Sequence, residues 1–379
     1  MIYLNNAAGT RPYPEVIETI TDVLTNHWAN PHDPTSWGHD AQMIINDVTQ
    51  QVANDINCDF DEVVWTSGAC EANSLAILGV LNNNPGMHFY TTKLEHTSIN
   101  EIRKNISSDN PTGFVSNDSQ GFVYELALKN TLAWNYSRNI KTLVSVSLAN
   151  SEIGLIQAIK SIAEIVHNYG GILHCDATQA YPWYDIDVKA LGIDLMSVSG
   201  QKLHAPKGVG FLYVKDGIEL QPLIYGSQQL NRRGGTMPTH LIAGFGKALE
   251  LTRIHNPANR VEKLRECMIH HLGNIDRISL NGPSSEFCRL PNIISLTIDG
   301  VNAETLVTMC DLMGVSIGKG SACKSYEPTP SETLLAIGLT EKQALSTIRI
   351  SLDEFNTEEE VIRAADIITQ LVEQLRKNA

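Results

Sequence analysis

Two side chains stand where amine chemistry on a bound ring could be done. Asp176 closes a short apolar run, Gly171 to Cys175. Lys202 follows in Ser199-Gly200-Gln201-Lys202, ahead of a Pro206-Lys207-Gly208 turn. A lysine on such a turn can form a Schiff base with an aldehyde. An acid at a strand end can keep a pyridinium nitrogen protonated, so that the ring draws in electrons. This is one arrangement that pyridoxal 5'-phosphate (PLP) needs. On spacing alone, the same residues also read as a solvated loop lysine and an acidic helix cap.

Further residues could complete such a site. Thr66-Ser67-Gly68-Ala69-Cys70-Glu71 follows an apolar strand and opens a helix. Backbone N–H groups at a helix start bind phosphate, and hydroxyls add to them; the stretch is also an ordinary cap. His96 lies just past a strand, and a group that titrates near neutrality suits proton handling, although a lone histidine is more often structural. Arg349 sits in the alternating run Thr347 to Ser351. Its guanidinium could take a carboxylate bidentately or form a surface salt bridge. Cys323 is flanked by small, polar and proline residues, which places it on a loop. Lys319 and Lys324 nearby would favour its thiolate. The other cysteines lie in strand- or helix-like settings, except Cys70.

These residues need a scaffold, and the apolar pattern supplies one. Residues 1–12 read as extended, and helical spacing marks Val16–Thr25 and Ala41–Ile56. Apolar runs at Val63–Trp65, Phe89–Thr91, Thr142–Ser147, Gly171–Cys175, Leu195–Ser197 and Gly210–Val214 then alternate with helical stretches such as Glu71–Leu81 and Ile159–Tyr169. That alternation predicts a mainly parallel sheet covered on both faces, with function at the carboxyl ends of strands. Residues 241–272 read as one long helical connection. Strands at Ile278–Leu280, Asn292–Ile298 and Ser346–Leu352, a helix near Ala303–Met313 and a final helix over 357–376 predict a smaller α+β unit.

The chain has 379 residues, 42% of them hydrophobic and 18% charged, enough for a large domain and a smaller one. A net charge of −14 leaves no basic surplus for phosphate backbones and excludes direct nucleic-acid binding in that sense. No basic and apolar leader opens the chain, and no apolar run approaches a membrane span, so no signal peptide and no membrane association are expected. Seven cysteines without CxxC spacing predict a reducing compartment, the cytoplasm, with no disulfide framework and no metal. There is no GxGxxG, and Met313 stands where a P-loop ending in Gly318-Lys319 would need glycine.

Taken together, Thr66–Glu71, Ser199–Lys202, Arg233-Gly234-Gly235-Thr236 and Gly320-Ser321-Ala322-Cys323 resemble the motifs of cysteine desulfurases of the NifS/IscS type, enzymes of the class V aminotransferase family. The resemblance runs along essentially the whole chain. It implies an α/β, fold-type I PLP enzyme. Residues 13–250 would form the large domain on a mainly parallel seven-stranded-type sheet. Residues 1–12 and 251–379 would form the small domain carrying the Cys323 loop. It implies PLP on Lys202, with Asp176 at the ring nitrogen and Gln179 at the ring hydroxyl oxygen. His96 would stack on the ring and handle the substrate thiol proton. Asn150 would contact cofactor and substrate, and Arg349 the substrate carboxylate. Ala69, Cys70, Ser199 and Gln201 would hold the phosphate, joined by Thr236 of a neighbouring subunit in a homodimer. Two positions depart from the family pattern. Cys70 stands where threonine is usual, and Gln201 where histidine is usual, so a weaker donor and a neutral one face the phosphate. The implied activity converts L-cysteine to L-alanine and leaves a persulfide on Cys323. The sulfur then passes to an acceptor protein for iron–sulfur cluster assembly, or for thiolation of tRNA, a cofactor or DNA. An aminotransferase or lyase of this fold would need no nucleophilic cysteine. A silent scaffold would not need Lys202, Asp176, His96, Arg349 and Cys323 together.

Overall fold

The computed structural model describes residues 1–320 and 329–377. Cys323 and Lys324 lie outside the described residues. In chain order the first elements are β1 (Ile2–Tyr3), α1 (Pro14–Asn26), α2 (Ser36–Ile56), β2 (Val63–Thr66), α3 (Ala69–Asn83), β3 (His88–Thr91), α4 (Thr97–Asn105), β4 (Thr112–Phe114) and α5 (Glu125–Tyr136). Next come β5 (Thr142–Ser145), α6 (Ile159–Asn168), β6 (Ile172–Asp176), α7 (Val188–Leu191), β7 (Leu195–Ser199) and β8 (Gly210–Val214). Then follow α8 (Thr239–His255), α9 (Ala258–Leu272), β9 (Ile278–Leu280), β10 (Ile293–Ile298), α10 (Ala303–Leu312), β11 (Val315–Ser316) and β12 (Gly318–Lys319). The chain ends with α11 (Glu332–Ala336), α12 (Glu341–Leu345), β13 (Thr347–Ser351) and α13 (Glu358–Lys377).

Seven strands form the main sheet in the order β2-β8-β7-β6-β5-β3-β4. β8 runs antiparallel to both of its neighbours, and every other pairing is parallel. The inner strands are buried along almost their whole length because both faces are covered, and most of their residues are apolar. Side chains alternate between two cores: Leu143, Leu195 and Leu212 pack with α3 and α4, while Val144, Met196 and Phe211 pack with residues of α6 and α8. α6 shows why the sequence folds this way. Ile159, Ile162, Ala163 and Val166 recur on one helical face, and all four are buried.

A second sheet, β12-β13-β10-β9, is antiparallel and packs with α9, α10 and α13 around its own core. The amino terminus belongs to this layer. β1 pairs with β11, and Asn5 bridges to Ser351, so only the first part of residues 1–12 is a strand.

Two expectations are corrected. The helical connection over 241–272 is broken between α8 and α9, where Asn256 turns left-handed (φ 42°) ahead of Pro257. Proline has no N–H to donate and disfavours helical backbone in the residue before it. The span 97–136 also holds α4, β4 and α5, which the apolar pattern did not mark. α5 buries only Leu128, Leu132 and Asn135, too sparse a stripe to stand out.

Candidate active site

β6 and β7 are parallel neighbours, and their carboxyl ends deliver Asp176 and the Ser199–Lys202 turn side by side. The Lys202 amine donates to the carbonyls of Ala7 (2.7 Å) and Ala8 (2.8 Å). Burial, helped by the positive charges of Arg349 and Lys207, pulls this amine down to about 8 against the opposing pull of Asp176 and Cys70. A substantial fraction is therefore neutral, and nucleophilic, near physiological pH.

Asp176 is buried and held on both oxygens. Oδ1 accepts from the Thr178 backbone N–H at 3.0 Å, and Oδ2 from Asn73 Nδ2 at 2.9 Å. Asn73 also donates to Ser98 Oγ at 3.0 Å and is wholly inaccessible. Sequence reasoning missed it; the available signal was an asparagine one turn into α3 on the helix's buried side. Gln179 Nε2 donates to the Ala7 carbonyl at 3.1 Å, so the segment around Ala7 ties Gln179 and Lys202 together.

His96 caps α4. Its Nδ1 accepts from the Ser98 N–H at 3.2 Å, which places the ring proton of the neutral form on Nε2. Burial and the charge of Lys202 hold this imidazole below its usual range, with Asp176 opposing them. Asn150 is buried and organises its own loop. Its Oδ1 accepts from the N–H groups of Glu152 and Ile153, and its Nδ2 donates to the Leu94 carbonyl at 2.7 Å.

The turn from β2 into α3 lies flush against β8. Gly68 adopts φ 143°, and a Cβ on it would lie 3.4 Å from Ser199 Oγ. A Cβ on Gly210 would lie 2.4 Å from the Val198 carbonyl and 2.8 Å from Gly68 Cα. This close approach puts the start of α3, Ala69 and the exposed Cys70, beside Ser199. Glu71 is turned away by two bonds: it accepts from the Ser67 N–H at 2.8 Å and pairs with Arg233 at 2.7 Å. Gln201 engages Thr10 through its backbone carbonyl, which accepts from the Thr10 N–H (3.0 Å) and hydroxyl (3.1 Å). Thr236 is elsewhere, in a surface cavity of about 410 Å³ shared with Leu24, His27 and Trp28.

Arg349, on β13, reaches across from the smaller sheet. Its Nη1 donates to the Ser151 carbonyl (3.0 Å) and its Nη2 to Asn5 Oδ1 (2.9 Å). With His96, Ser151, Glu152 and the chain at 329–333 it lines a cavity of about 290 Å³, wide enough for a small amino acid. Glu152 accepts from Ser331 Oγ at 2.5 Å. Burial pushes Glu152 up to about 7, against the pull of Ser331 and Arg349. Burial likewise pushes Glu95 up to about 7, although Ser147 and Thr92 donate to it. Lys319 is 3.7 Å from Glu304, a partner the sequence did not suggest.

The structure thus brings Lys202, Asp176, Gln179, Ser199 and the α3 start to the carboxyl end of one sheet, with His96 and Arg349 along the adjoining cleft. Residues 2–363 match the family model described as Aminotransferase class-V. The chain belongs to this family.

Members of the family use PLP, and the residues present fit it. A partly neutral lysine amine lies within electrostatic reach of a fixed carboxylate, and the start of α3, entered through Gly68, lies beside the Ser199 hydroxyl where a phosphate could be held. The chain is 35% identical to the Cysteine desulfurase IscS of Clostridium botulinum, over 99% of this chain and 95% of that protein. A solved structure titled NifS-like protein superposes with a TM-score of 0.90 at 27% identity, covering 98% of this chain and 99% of the other. Another, titled SspA in complex with cysteine, superposes with a TM-score of 0.81 at 30% identity, over 94% of this chain and all of the other.

Proposed function

We propose that this class V enzyme is a PLP-dependent cysteine desulfurase that turns L-cysteine into L-alanine and stores the sulfur as a persulfide on Cys323. The observation that carries the reading is the partly neutral Lys202 amine within electrostatic reach of both Asp176 and Arg349, with Arg349 and His96 lining a cavity of amino-acid size. The likeness to the clostridial desulfurase and to the SspA complex with cysteine supports the choice of substrate.

When bound, PLP draws electrons from the substrate's Cα and so weakens its Cβ–S bond. The protein's residues do the rest. Asp176, fixed by Asn73 and Thr178, holds a proton at the ring nitrogen. Gln179 would hold the ring hydroxyl oxygen, and Asn150 would keep its loop beside cofactor and substrate. The N–H groups of Ala69 and Cys70, with Ser199 and Gln201, hold the phosphate. Arg349 exchanges its bonds to Ser151 and Asn5 for the substrate carboxylate, a better partner for a planar guanidinium. Lys202 takes the Cα proton, and His96 handles the thiol proton. The Cys323 thiolate bonds to the substrate sulfur, the Cβ–S bond breaks, and the carbon skeleton takes up protons and leaves as alanine. A sulfur-acceptor protein then collects the persulfide sulfur; iron–sulfur cluster assembly and thiolation are the uses such sulfur suits.

The presence of two sheets supports a division into a large domain, 13–250, and a small domain, 1–12 with 251–379, although the boundary at 250 falls within α8. Thr236 faces outward beside Leu24 and Trp28, and we assign it to the phosphate of a second copy. Light scattering should therefore give twice the chain mass of 41.7 kDa; a monomer would remove Thr236 from the site. Six described cysteines are free, which suits the cytoplasm, and no helix among the described residues is long and apolar enough to cross a membrane. The activity is tested by incubating the purified protein with L-cysteine and assaying alanine and persulfide. Pyruvate or a transaminated product instead would assign it to another branch of the family.

A further inference from the structure

His204 stands two residues beyond Lys202, and Asp353 four residues beyond Arg349. The two side chains meet between the sheets, with Nε2 3.3 Å from Asp353 Oδ1, and both are buried. His204 adopts φ 63°, a left-handed backbone that a non-glycine residue keeps only where its surroundings dictate it. Those surroundings are present on every side. The backbone N–H of His204 donates to Thr10 Oγ1 at 2.9 Å. Its Nδ1 is 2.7 Å from the Arg11 carbonyl, an acceptor only, so Nδ1 carries a proton and Nε2 is left for the carboxylates. The ring stacks on Tyr13 with centroids 4.4 Å apart and meets the edge of Phe355.

The other charged groups close around the same point. Glu354 Oε1 lies 3.9 Å from His204 Nε2 and accepts from the Tyr13 hydroxyl, while Oε2 takes His255 at 3.0 Å. Arg260 of α9 donates to the carbonyls of Glu354 and Asn356, and Asn356 Oδ1 accepts from the Asp353 N–H. His204, Asp353 and Glu354 bring ligand-type atoms within 4.8 Å of one another, but these atoms are already engaged with each other, Tyr13 and His255, as in an ion-pair network. Burial opposes the imidazolium, yet the bond to Asp353, the Arg11 carbonyl and Glu354 outweigh it and raise His204 above its usual range.

We propose that His204 and Asp353 form a latch that fixes the Lys202 turn of the main sheet against the Arg349 strand of the smaller sheet, which makes His204 a positioning residue for substrate capture. Lys202 and Arg349 come from different sheets, and a substrate gripped by both needs their separation set. Before cofactor and substrate bind, the segment Asn5–Ala8 is the first tie, bonding Arg349 at one end and Lys202 at the other; both ends are released when Lys202 takes PLP and Arg349 the substrate carboxylate. The His204–Asp353 pair is the second, and it sits on the far side of both residues in sequence. The inference rests on the roles proposed above for Lys202 and Arg349.

The test compares holoenzyme carrying His204→Gln, Asp353→Asn and both. Alanine formation from L-cysteine is measured per mole of bound PLP, alongside Tm and PLP content. Each single variant should raise KM for cysteine about five- to tenfold with kcat less affected, and the double variant should lose no more than the worse single, because both remove one interaction. Asp353→Asn keeps the shape and carries the test if His204→Gln does not fold. Lower Tm with unchanged KM, or losses in kcat/KM that multiply in the double variant, would overturn the latch. Arg349→Lys in the same assay separates the two readings. An unchanged KM there removes Arg349 from substrate binding and the latch proposal with it. A raised KM there beside normal kinetics in Asp353→Asn overturns the latch alone.

Discussion

The Lys202 amine hangs from two backbone carbonyls, Ala7 and Ala8, and its environment pulls it down to about 8. Only the neutral amine attacks an aldehyde. The rate at which cofactor-free protein takes up PLP should thus rise with pH and level off above about 8, followed by absorbance; a flat profile from pH 6.5 to 9.5 would count against the assignment. Glu95 offers a second titration at this scale. Burial raises it to about 7 in the fold, while the unfolded chain keeps the ordinary carboxylate value. The fold therefore holds a proton that the unfolded chain gives up. The stability tied to that proton is full below the unfolded value and is lost as pH rises through about 7, a change on the order of 3 kcal/mol. Glu95→Gln should flatten the fall in unfolding free energy between pH 5 and 8.5, measured by urea titration. An identical slope in both proteins would show that Glu95 does not titrate there.

The phosphate end is a product of elements in contact. The turn into α3 and the first residue of β8 touch because Gly68 and Gly210 carry no side chains. Gly210→Ala would drive a methyl into the Val198 carbonyl and Gly68 Cα. It should cost about 1–3 kcal/mol of stability and cause faster PLP loss on dialysis, since the start of α3 must shift. Normal retention would mean that the helix start does not grip the phosphate. The elements bearing Lys202 and Asp176 were legible in the sequence because buried strands leave short apolar runs that end in polar groups, and the one bearing Arg349 because polar and apolar residues alternate along it. Asn73 was not, because a helix buried over most of its surface hides one polar residue among apolar neighbours. Nor was the route of Ala7 and Ala8 beneath Lys202, since backbone carbonyls carry no residue signature. Pro257 did announce the break between α8 and α9, but the helical spacing on both sides masked it.

At the scale of the whole molecule, two sheets with separate cores bring Lys202 and Arg349 within electrostatic reach of each other, and the chain at 329–333 that follows the Cys323 segment lines the cavity at Arg349. The central claim is that sulfur leaves L-cysteine for Cys323. The Cys323→Ser protein should bind PLP, and its colour should still respond to L-cysteine, because Lys202, Asp176, His96 and Arg349 are untouched. It should make almost no alanine, since a hydroxyl neither attacks the sulfur nor stores it. The most direct measurement is mass spectrometry of the wild-type protein after brief exposure to L-cysteine. The account predicts one added sulfur on the peptide containing Cys323, formed together with alanine. Added sulfur on the peptides of Cys70 or Cys175, with Cys323→Ser fully active, would contradict it.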